Sequence, residues 1–281
     1  MRTRWREAFH STAVRRTVSA TIAPPAGITL YALSPPYQGA GTPSHAATLP
    51  ARGSSAGTVL LVDVERPEAA RATLPVLIPQ LRRAHPDKPV VLRVDAEADA
   101  ALTASTARLA GQLRARAVLR RGEPAADALR RALTDPVDLG GDVQEWLAQR
   151  GPALSPDLSH LARCIFGGAA DEPDVTRLIR DAGGSERTAR ARFHRRGLPP
   201  PSGWHQAARG LCAALRLQRD PAVPLLRAAL EMGYSDHSSL AHQLRRVFGV
   251  GAAEVRGALG WEWLLDRWLE RARARVVTPA A

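Results

Sequence analysis

Residues 233–249, GYSDHSSLAHQLRRVFG, decide the fold predicted for the second half of the chain. Ser235 is suited to cap a helix amino terminus, and Gly249 is typical of a helix end. Between them, apolar residues recur with the spacing of one helix face: Leu240, Leu244 and Val247 or Phe248. The opposite face carries short polar and cationic side chains with nothing bulky among them: His237, Ser238, Ala241, His242 and Arg245. A helix with such a face can fit into a groove.

A shorter helix is predicted immediately before this one. Residues 223–232, VPLLRAALEM, have helical spacing, and Pro224 is tolerated in a first turn. Because the connection Gly233-Tyr234 is short, the two helices form a predicted helix-turn-helix. Taken alone, the pair is equally compatible with DNA binding and with an ordinary helical hairpin.

An earlier segment repeats this order of features. Residues 174–181 predict a helix, Ala182-Gly183-Gly184 a turn, and residues 185–197, SERTARARFHRRG, a second helix capped by Ser185. In that helix Ala189 and Phe193 are predicted to face inward. The outward positions are Arg187, Arg190, Ala191 and His194. A helix predicted over 204–218, after the prolines at 199–201, would hold the two units in a fixed relative orientation.

From about residue 158 to 257 the chain resembles the AraC/XylS-type transcriptional regulators, whose DNA-binding module has two helix-turn-helix units joined by a long helix. The matching segments are SERTARARFHRRGLPPPSGWHQAARG and ALEMGYSDHSSLAHQLRRVFGVGAAEVR. Two features depart from the family pattern. Gly249-Val250-Gly251-Ala252 lacks the proline usual after the second recognition helix, and Leu240 and Leu244 replace frequent phenylalanines. Both changes are predicted to lie in the core.

The resemblance implies a set of base-reading residues: Arg187, Arg190, Ala191, His237, Ser238, Ser239 and His242. The predicted contacts to phosphates are Ser185, Arg192, Arg195, Arg196, Ser235, Arg245 and Arg246. The implied partners are double-stranded DNA and RNA polymerase.

The charge of the chain supports a nucleic-acid partner. The net charge is +12, and Lys88 is the only lysine, so the positive charge is carried by arginine. Between Ser185 and Arg256, 12 arginines stand against five carboxylates, a net of +7. Arginine is suited to bidentate contacts with guanine and phosphate. An overall arginine bias of the proteome is the alternative explanation.

No apolar run approaches the ~18 residues that a membrane span needs, and the first residues lack the apolar centre of a signal peptide. We therefore expect a cytoplasmic protein that has no membrane partner. Cys164 and Cys212 are isolated and are predicted to be reduced, buried thiols. His237 and His242 are five residues apart, which places them off a common helix face, and no metal site or cofactor is predicted.

The first half alternates predicted strands and helices, over 58–64, 68–84, 90–94, 99–114, 117–120 and 125–133. Continuous apolar strands in this order predict a parallel sheet covered on both faces. Pro75 and Pro79 are expected to bend or interrupt the first helix. Residues 17–22 and 28–33 are further candidate strands.

This half resembles the later part of a response-regulator receiver domain, which has a flavodoxin-like fold. The resemblance places the phosphate-accepting aspartate at Asp63, an arginine at 120 or 121 where receivers have a lysine, and Asp95 near their hydroxyl residue. Phosphoryl transfer needs Mg²⁺ held by further carboxylates, but only Glu7 is acidic before Asp63. Asp63 is therefore predicted to be a vestigial phosphoacceptor. A carboxylate that caps the next helix is the alternative.

The predicted fold class is α/β plus all-α. The predicted domains are a poorly defined segment at 1–57, a receiver-like domain at 58–135, a linker at 136–156, the double helix-turn-helix at 157–257 and a terminal helix and tail at 258–281. The linker is predicted to contain a short helical piece around Trp146. The three tryptophans of that helix, Trp261, Trp263 and Trp268, predict either packing on the preceding helices or a dimer contact. A homodimer through the first half is also open.

The function predicted from the sequence is that of a DNA-binding transcriptional regulator, not of an enzyme. The alternative is a small-molecule sensor or enzyme built on the α/β domain, with the basic helices as a tether. The sequence shows none of the motifs that such an enzyme would need, neither a phosphate-binding glycine loop nor a nucleophile with a base in place.

Overall fold

The computed structural model describes residues 26–37, 56–95, 100–121, 125–150 and 153–277. Its first part contains β1 (Ile28–Leu33), β2 (Val59–Val64), α1 (Pro67–Ala84), β3 (Val90–Val94), α2 (Ala100–Gln112), β4 (Ala117–Arg120) and α3 (Ala125–Thr134). The second part contains α4 (Leu139–Arg150), α5 (Pro156–Gly168), α6 (Val175–Asp181), α7 (Glu186–Arg195), α8 (Pro201–Arg219), α9 (Leu225–Glu231), α10 (His237–Phe248), α11 (Ala252–Gly257) and α12 (Glu262–Val277). The predicted mixture of an α/β part and an all-helical part is confirmed.

The four described strands form one sheet in the order β1-β2-β3-β4. β2, β3 and β4 are parallel, and β2 is buried along its whole length. β1 pairs antiparallel with β2, so the prediction of a wholly parallel sheet is wrong for this strand. β1 is an edge strand in which buried and half-buried residues partly alternate, a pattern that does not fix its direction. The candidate strand at 17–22 lies outside the described residues.

The antiparallel β1 also departs from the receiver-like fold, in which all strands are parallel. The remaining strand and helix predictions in this half agree with the structure to within two residues, where they fall on described residues. α1 runs without interruption through Pro75 and Pro79, so of the two predicted effects the interruption is wrong and the bend stays a prediction. The receiver resemblance itself stays a prediction.

The predicted linker at 136–156 is largely structured, and the helical piece predicted around Trp146 is present but longer than expected. Its central part is the 12-residue helix α4, whose Val143, Trp146 and Leu147 are buried in the core of the helical half. The indole nitrogen of Trp146 also donates to the carbonyl of Pro86, 2.6 Å away. Prolines and glycines around this segment favoured a linker, but its apolar residues at 143, 146 and 147 have helical spacing. α4 therefore belongs to the helical body.

The terminal helix α12 packs into the same core. The three predicted anchor residues, Trp261, Trp263 and Trp268, are all buried there. The packing alternative is therefore confirmed, and these tryptophans are not available as anchors of a dimer contact. The boundary predicted at 257 does not separate α12 from the helices before it.

The α/β part is held against the helical part by polar contacts from several elements. The hydroxyl of Tyr37 donates to the carbonyl of Gly57 at 2.5 Å and accepts from the amide of Leu259 at 2.8 Å. Arg116 contacts Asp142 of α4 and Glu262 of α12. None of the described helices is long and apolar enough to cross a membrane.

Candidate nucleic-acid interface

The first unit is built from α6, a short turn and α7. The Asp174 carboxylate accepts from the amide of Thr176 at 2.8 Å and caps α6, and the Ser185 hydroxyl accepts from the amide of Thr188 at 3.2 Å and caps α7. Gly183 in the turn has a φ of +76°, a conformation that favours glycine. The predicted Ser185 cap is confirmed.

The two faces of α7 differ as predicted. Ala189 and Phe193 are buried, and Phe193 lies edge-on against Trp204 of α8 with their ring centroids 5.3 Å apart. The predicted base and phosphate contacts of this unit are all exposed: Ser185, Arg187, Arg190, Ala191, Arg192, Arg195 and Arg196. α7 therefore has one face fixed on α8 and a cationic face open to solvent.

The second unit is built from α9, a short turn and α10, and α10 begins one residue later than predicted. Asp236, not Ser235, caps α10, because its carboxylate accepts from the amide of Ser239 at 2.8 Å. The same carboxylate accepts from the hydroxyls of Ser235 at 2.9 Å and Ser239 at 3.0 Å. Aspartate and serine are equally good caps, so the pair Ser235-Asp236 left the start of the helix open by one residue.

The predicted DNA contacts in and next to α10 differ in their exposure to solvent. Leu240, Leu244 and Phe248 are buried, as expected, and Gly249 ends the helix with a φ of +74°. His237, Ser238, His242, Arg245 and Arg246 are exposed, as is Ser235 before the helix. Ser239 is half-buried and its hydroxyl is bonded to the Asp236 cap, so it is less accessible than the others.

The Asp236 cap should make the stability of the protein depend on pH at the acid end. The Ser239 amide, with the hydroxyls of Ser235 and Ser239, lowers the pKa of Asp236 from its ordinary 3.8 to about 2. Because the folded-state pKa is the lower one, the carboxylate stabilises the fold above pH 3.8, and this contribution is lost as the pH falls towards 2.

We expect Asp236→Ala to lower the thermal unfolding midpoint at pH 7, with the difference from wild type shrinking as the pH falls from 4 to 2. Asp236→Asn is the matched control, because its carbonyl can still accept from the Ser239 amide and does not titrate. The difference between the asparagine and alanine variants should therefore not change with pH. A difference between wild type and alanine that is equal at pH 7 and pH 2 would contradict this role of the carboxylate.

Helix α8 supports both units. It starts at Pro201, three residues earlier than predicted, because a proline is well suited to the first position of a helix. The side-chain amide of Gln243 in α10 donates to the carbonyl of Gln206 in α8, 3.1 Å away. At Gly210 a Cβ atom would lie 2.7 Å from the ring of Phe248, so glycine permits this close approach of α10 to α8. Both cationic helices are thus anchored on one support.

Arg209 of α8 fixes the turn of the second unit. Its guanidinium donates to the carbonyl of Met232 and lies over the ring of Tyr234, 5.0 Å from the centroid. The sequence offered no signal for this contact, because it joins residues more than 20 positions apart.

Among the arginines predicted to contact DNA, Arg190, Arg192 and Arg246 have protein partners. Arg190 pairs with Glu186 at 2.6 Å, Arg192 with Asp157 at 3.2 Å, and Arg246 donates to the side-chain carbonyl of Gln243 at 2.8 Å. Exposed pairs of this kind are weak and can be exchanged for other acceptors. They orient the guanidinium groups without covering them.

Asp63 lies at the end of β2 in a different part of the molecule. It is 3% exposed, and its two oxygens accept from Arg93 at 2.5 Å and Arg121 at 2.7 Å. Arg121, one of the two arginines at the place where receivers have a lysine, thus contacts the predicted vestigial phosphoacceptor. α1 has no side-chain cap, so the alternative that Asp63 caps the next helix is wrong.

The two cysteines are free, but both are half-buried and not fully buried as predicted. Burial raises the pKa of the Cys212 thiol to about 11. This thiol is therefore protonated at neutral pH, which makes it a poor nucleophile.

The similarity to known proteins lies in the helical half of the chain. No curated protein and no solved structure matches the chain. A family described as a helix-turn-helix domain, of the AraC type, matches residues 178–258. The matched span is under a third of the chain, but it contains α7, α8 and α10 in full. Residues 178–258 are therefore similar to the helix-turn-helix domains with which AraC-type transcription regulators bind DNA.

Proposed function

We propose that this chain is a sequence-specific transcription regulator whose helices α7 and α10 enter successive major grooves of B-DNA. One observation carries the proposal: two separately capped helices, each with an exposed polar and cationic face, are anchored on the same helix α8 within the matched span. Successive major grooves on one side of the duplex are about 34 Å apart. One monomer would then read an asymmetric site.

The exposed arginines of α7 are the strongest candidates for base reading. A guanidinium can donate to guanine O6 and N7 together, and a good pair of this kind gives about 1–3 kcal/mol of discrimination. We assign this role to Arg187 and Arg190, and propose the exposed Ala191 as a further base contact. In α10, His237, Ser238 and His242 read more weakly. Ser239 contributes least, because its hydroxyl is already bonded to Asp236.

The other exposed arginines of α7 and α10, with Arg196 after α7 and the serine before each helix, are proposed phosphate contacts, which position the protein without selecting a sequence. They are Ser185, Arg192, Arg195, Arg196, Ser235, Arg245 and Arg246. The affinity of such contacts depends on salt, because each neutralised phosphate releases counterions.

Alanine variants at Arg190 and Arg246 should separate these two roles. Arg190→Ala is expected to relax the preference at one base pair, by about 1–3 kcal/mol of discrimination. Arg246→Ala is expected to weaken binding to all sequences alike and to reduce the salt slope by about one. Arg163, an exposed arginine of α5 that pairs with Asp138, provides a matched control.

The experiment is a selection of bound sequences from random DNA, followed by affinity measurements at several salt concentrations. Arg163→Ala should leave both the selected sequence and the salt slope close to those of the wild type. If Arg190→Ala and Arg246→Ala changed sequence preference and salt slope in the same way, the role assignments would be wrong. If the wild type selected no sequence, the proposed function would be wrong.

The α/β half is the proposed regulatory part of the molecule. We propose that its Asp63 does not accept phosphate, because both oxygens already accept from guanidinium groups. A contact with RNA polymerase and a homodimer through this half stay predictions. The alternative of a sensor or enzyme built on this half also stays a prediction.

A further inference from the structure

Glu186, the first residue of α7, is held from two sides. Its Oε1 accepts from Nη2 of Arg190 at 2.6 Å, and its Oε2 accepts from the hydroxyl of Thr176 in α6 at 3.2 Å. The side chains of Arg190 and Glu186 are 65% and 41% exposed, so the pair lies on the open surface of the unit. The carboxylate is thus tied to α6 and in turn fixes the proposed base reader.

Arg190 can keep this bond while it reads a base. A guanidinium has five N–H donors, and the bond to Glu186 uses one of them. A bidentate contact with guanine needs two more, so enough donors remain. A long arginine side chain otherwise samples many rotamers and can reach phosphates as well as bases. The bond therefore removes conformations that contribute affinity without sequence preference.

The charge of Glu186 acts in the same direction. A carboxylate next to the guanidinium lowers the local positive potential, which weakens the attraction of Arg190 to the negatively charged backbone. A bond to a base edge in a fixed geometry is affected less, since its acceptors are neutral. Arg187 on the same helix has no hydrogen bond or ion pair with any of the described residues and lacks such a restraint.

We propose that Glu186 is a positioning residue that makes Arg190 specific for guanine at the base pair it reads. This inference rests on the proposed function, because it assumes that α7 enters a major groove. Glu186 is an acidic residue within a strongly basic surface. In this role it increases the selectivity for one DNA sequence and lowers the affinity for DNA of any sequence.

The test measures base preference at each position of the selected site for the full-length chain. Glu186→Ala is expected to reduce the preference for guanine at the Arg190 position by about fivefold or more, with the other positions within about twofold of wild type. Glu186→Gln, which keeps the acceptor oxygen, should retain most of the preference. In an Arg190→Ala background, Glu186→Ala should cause no further change at that position.

Two further variants keep the test decisive. Glu254→Ala removes a similarly exposed carboxylate from the first turn of α11 and should leave the preference unchanged. Thr176→Val, which leaves the Glu186 carboxylate in place but removes its bond to α6, should shift the preference in the same direction as Glu186→Ala. It provides the measurement if Glu186→Ala does not fold.

Three results would overturn the inference. The first is an unchanged guanine preference in both Glu186→Ala and Thr176→Val. The second is an equal loss in Glu254→Ala, which would make net charge the cause. The third is a loss that persists in the Arg190→Ala background, which would mean that Glu186 contacts a base itself. In each case wild-type selection of a defined site would still support the proposed function, whereas a wild type without selection would remove that function.

Discussion

Trp204→Ala is expected to lower the free energy of unfolding by about 3–5 kcal/mol, the largest effect of a single apolar truncation in the helical half. Trp204 is 0% exposed and lies edge-on against three aromatic rings. The centroid distances are 6.2 Å to Phe166, 5.3 Å to Phe193 and 5.1 Å to Trp268. These rings belong to α5, α7 and α12, so the indole joins α8 to three other helices.

Chemical unfolding followed by circular dichroism measures this effect. Leu226→Ala is the matched control, because Leu226 is exposed on α9 and its truncation should change stability by under about 0.5 kcal/mol. Trp204→Phe should lose less than the alanine variant, since part of the ring packing remains. A loss below about 1 kcal/mol for Trp204→Ala would contradict the central position of this residue in the core.

Arg116→Ala is expected to destabilise the protein by about 3–5 kcal/mol, because it leaves two poorly exposed carboxylates without their partner. The Arg116 side chain is 14% exposed and that of Glu262 is 6% exposed, with 2.7 Å between their charged groups. Arg116 also contacts Asp142 and lies over the Trp261 ring, 4.7 Å from its centroid. Burial by itself lowers the pKa of Arg116, but Glu262 and Asp142 raise it above its usual value, so the group stays charged.

The same unfolding measurement tests this contact between the two halves of the molecule. Arg114→Ala is its control, since Arg114 is 57% exposed, pairs with Glu145 and should contribute under about 1 kcal/mol. Adding Glu262→Ala to Arg116→Ala should recover part of the loss, because one unpaired carboxylate is then removed. Equal stabilities of the Arg116 and Arg114 variants would contradict the proposed importance of the buried pair.

The elements whose apolar residues form a clear pattern along the chain could be predicted from the sequence. The apolar spacing of 3.6 residues located α7 and α10 and their buried faces, and the continuous apolar runs located β2, β3 and β4. The exposed residues of both helices follow directly from the same geometry. Ser185 could be predicted as a cap because it is a preferred capping residue that directly follows the Gly183-Gly184 turn and precedes a stretch with helical spacing.

Features that depend on distant residues could not be predicted in this way. The antiparallel direction of β1 is set by its pairing with β2. The burial of α4 and α12 depends on a core to which residues from the whole helical part contribute. The choice of Asp236 over Ser235 as a cap depends on a single amide hydrogen bond. Within the candidate interface, the protein partners of Arg190, Arg192 and Arg246 could be identified only from the positions of the side chains.

Two helices of one chain are proposed to read two successive major grooves. The most direct test is the affinity of the purified protein for its selected DNA site, compared with the same site after insertion of five base pairs between the two contacted blocks. Five base pairs turn one block by about half a helical turn. We predict that the insertion reduces affinity to the level of non-specific DNA. Unchanged affinity after the insertion, or a selected site with only one contacted block, would mean that the two helices do not read successive grooves.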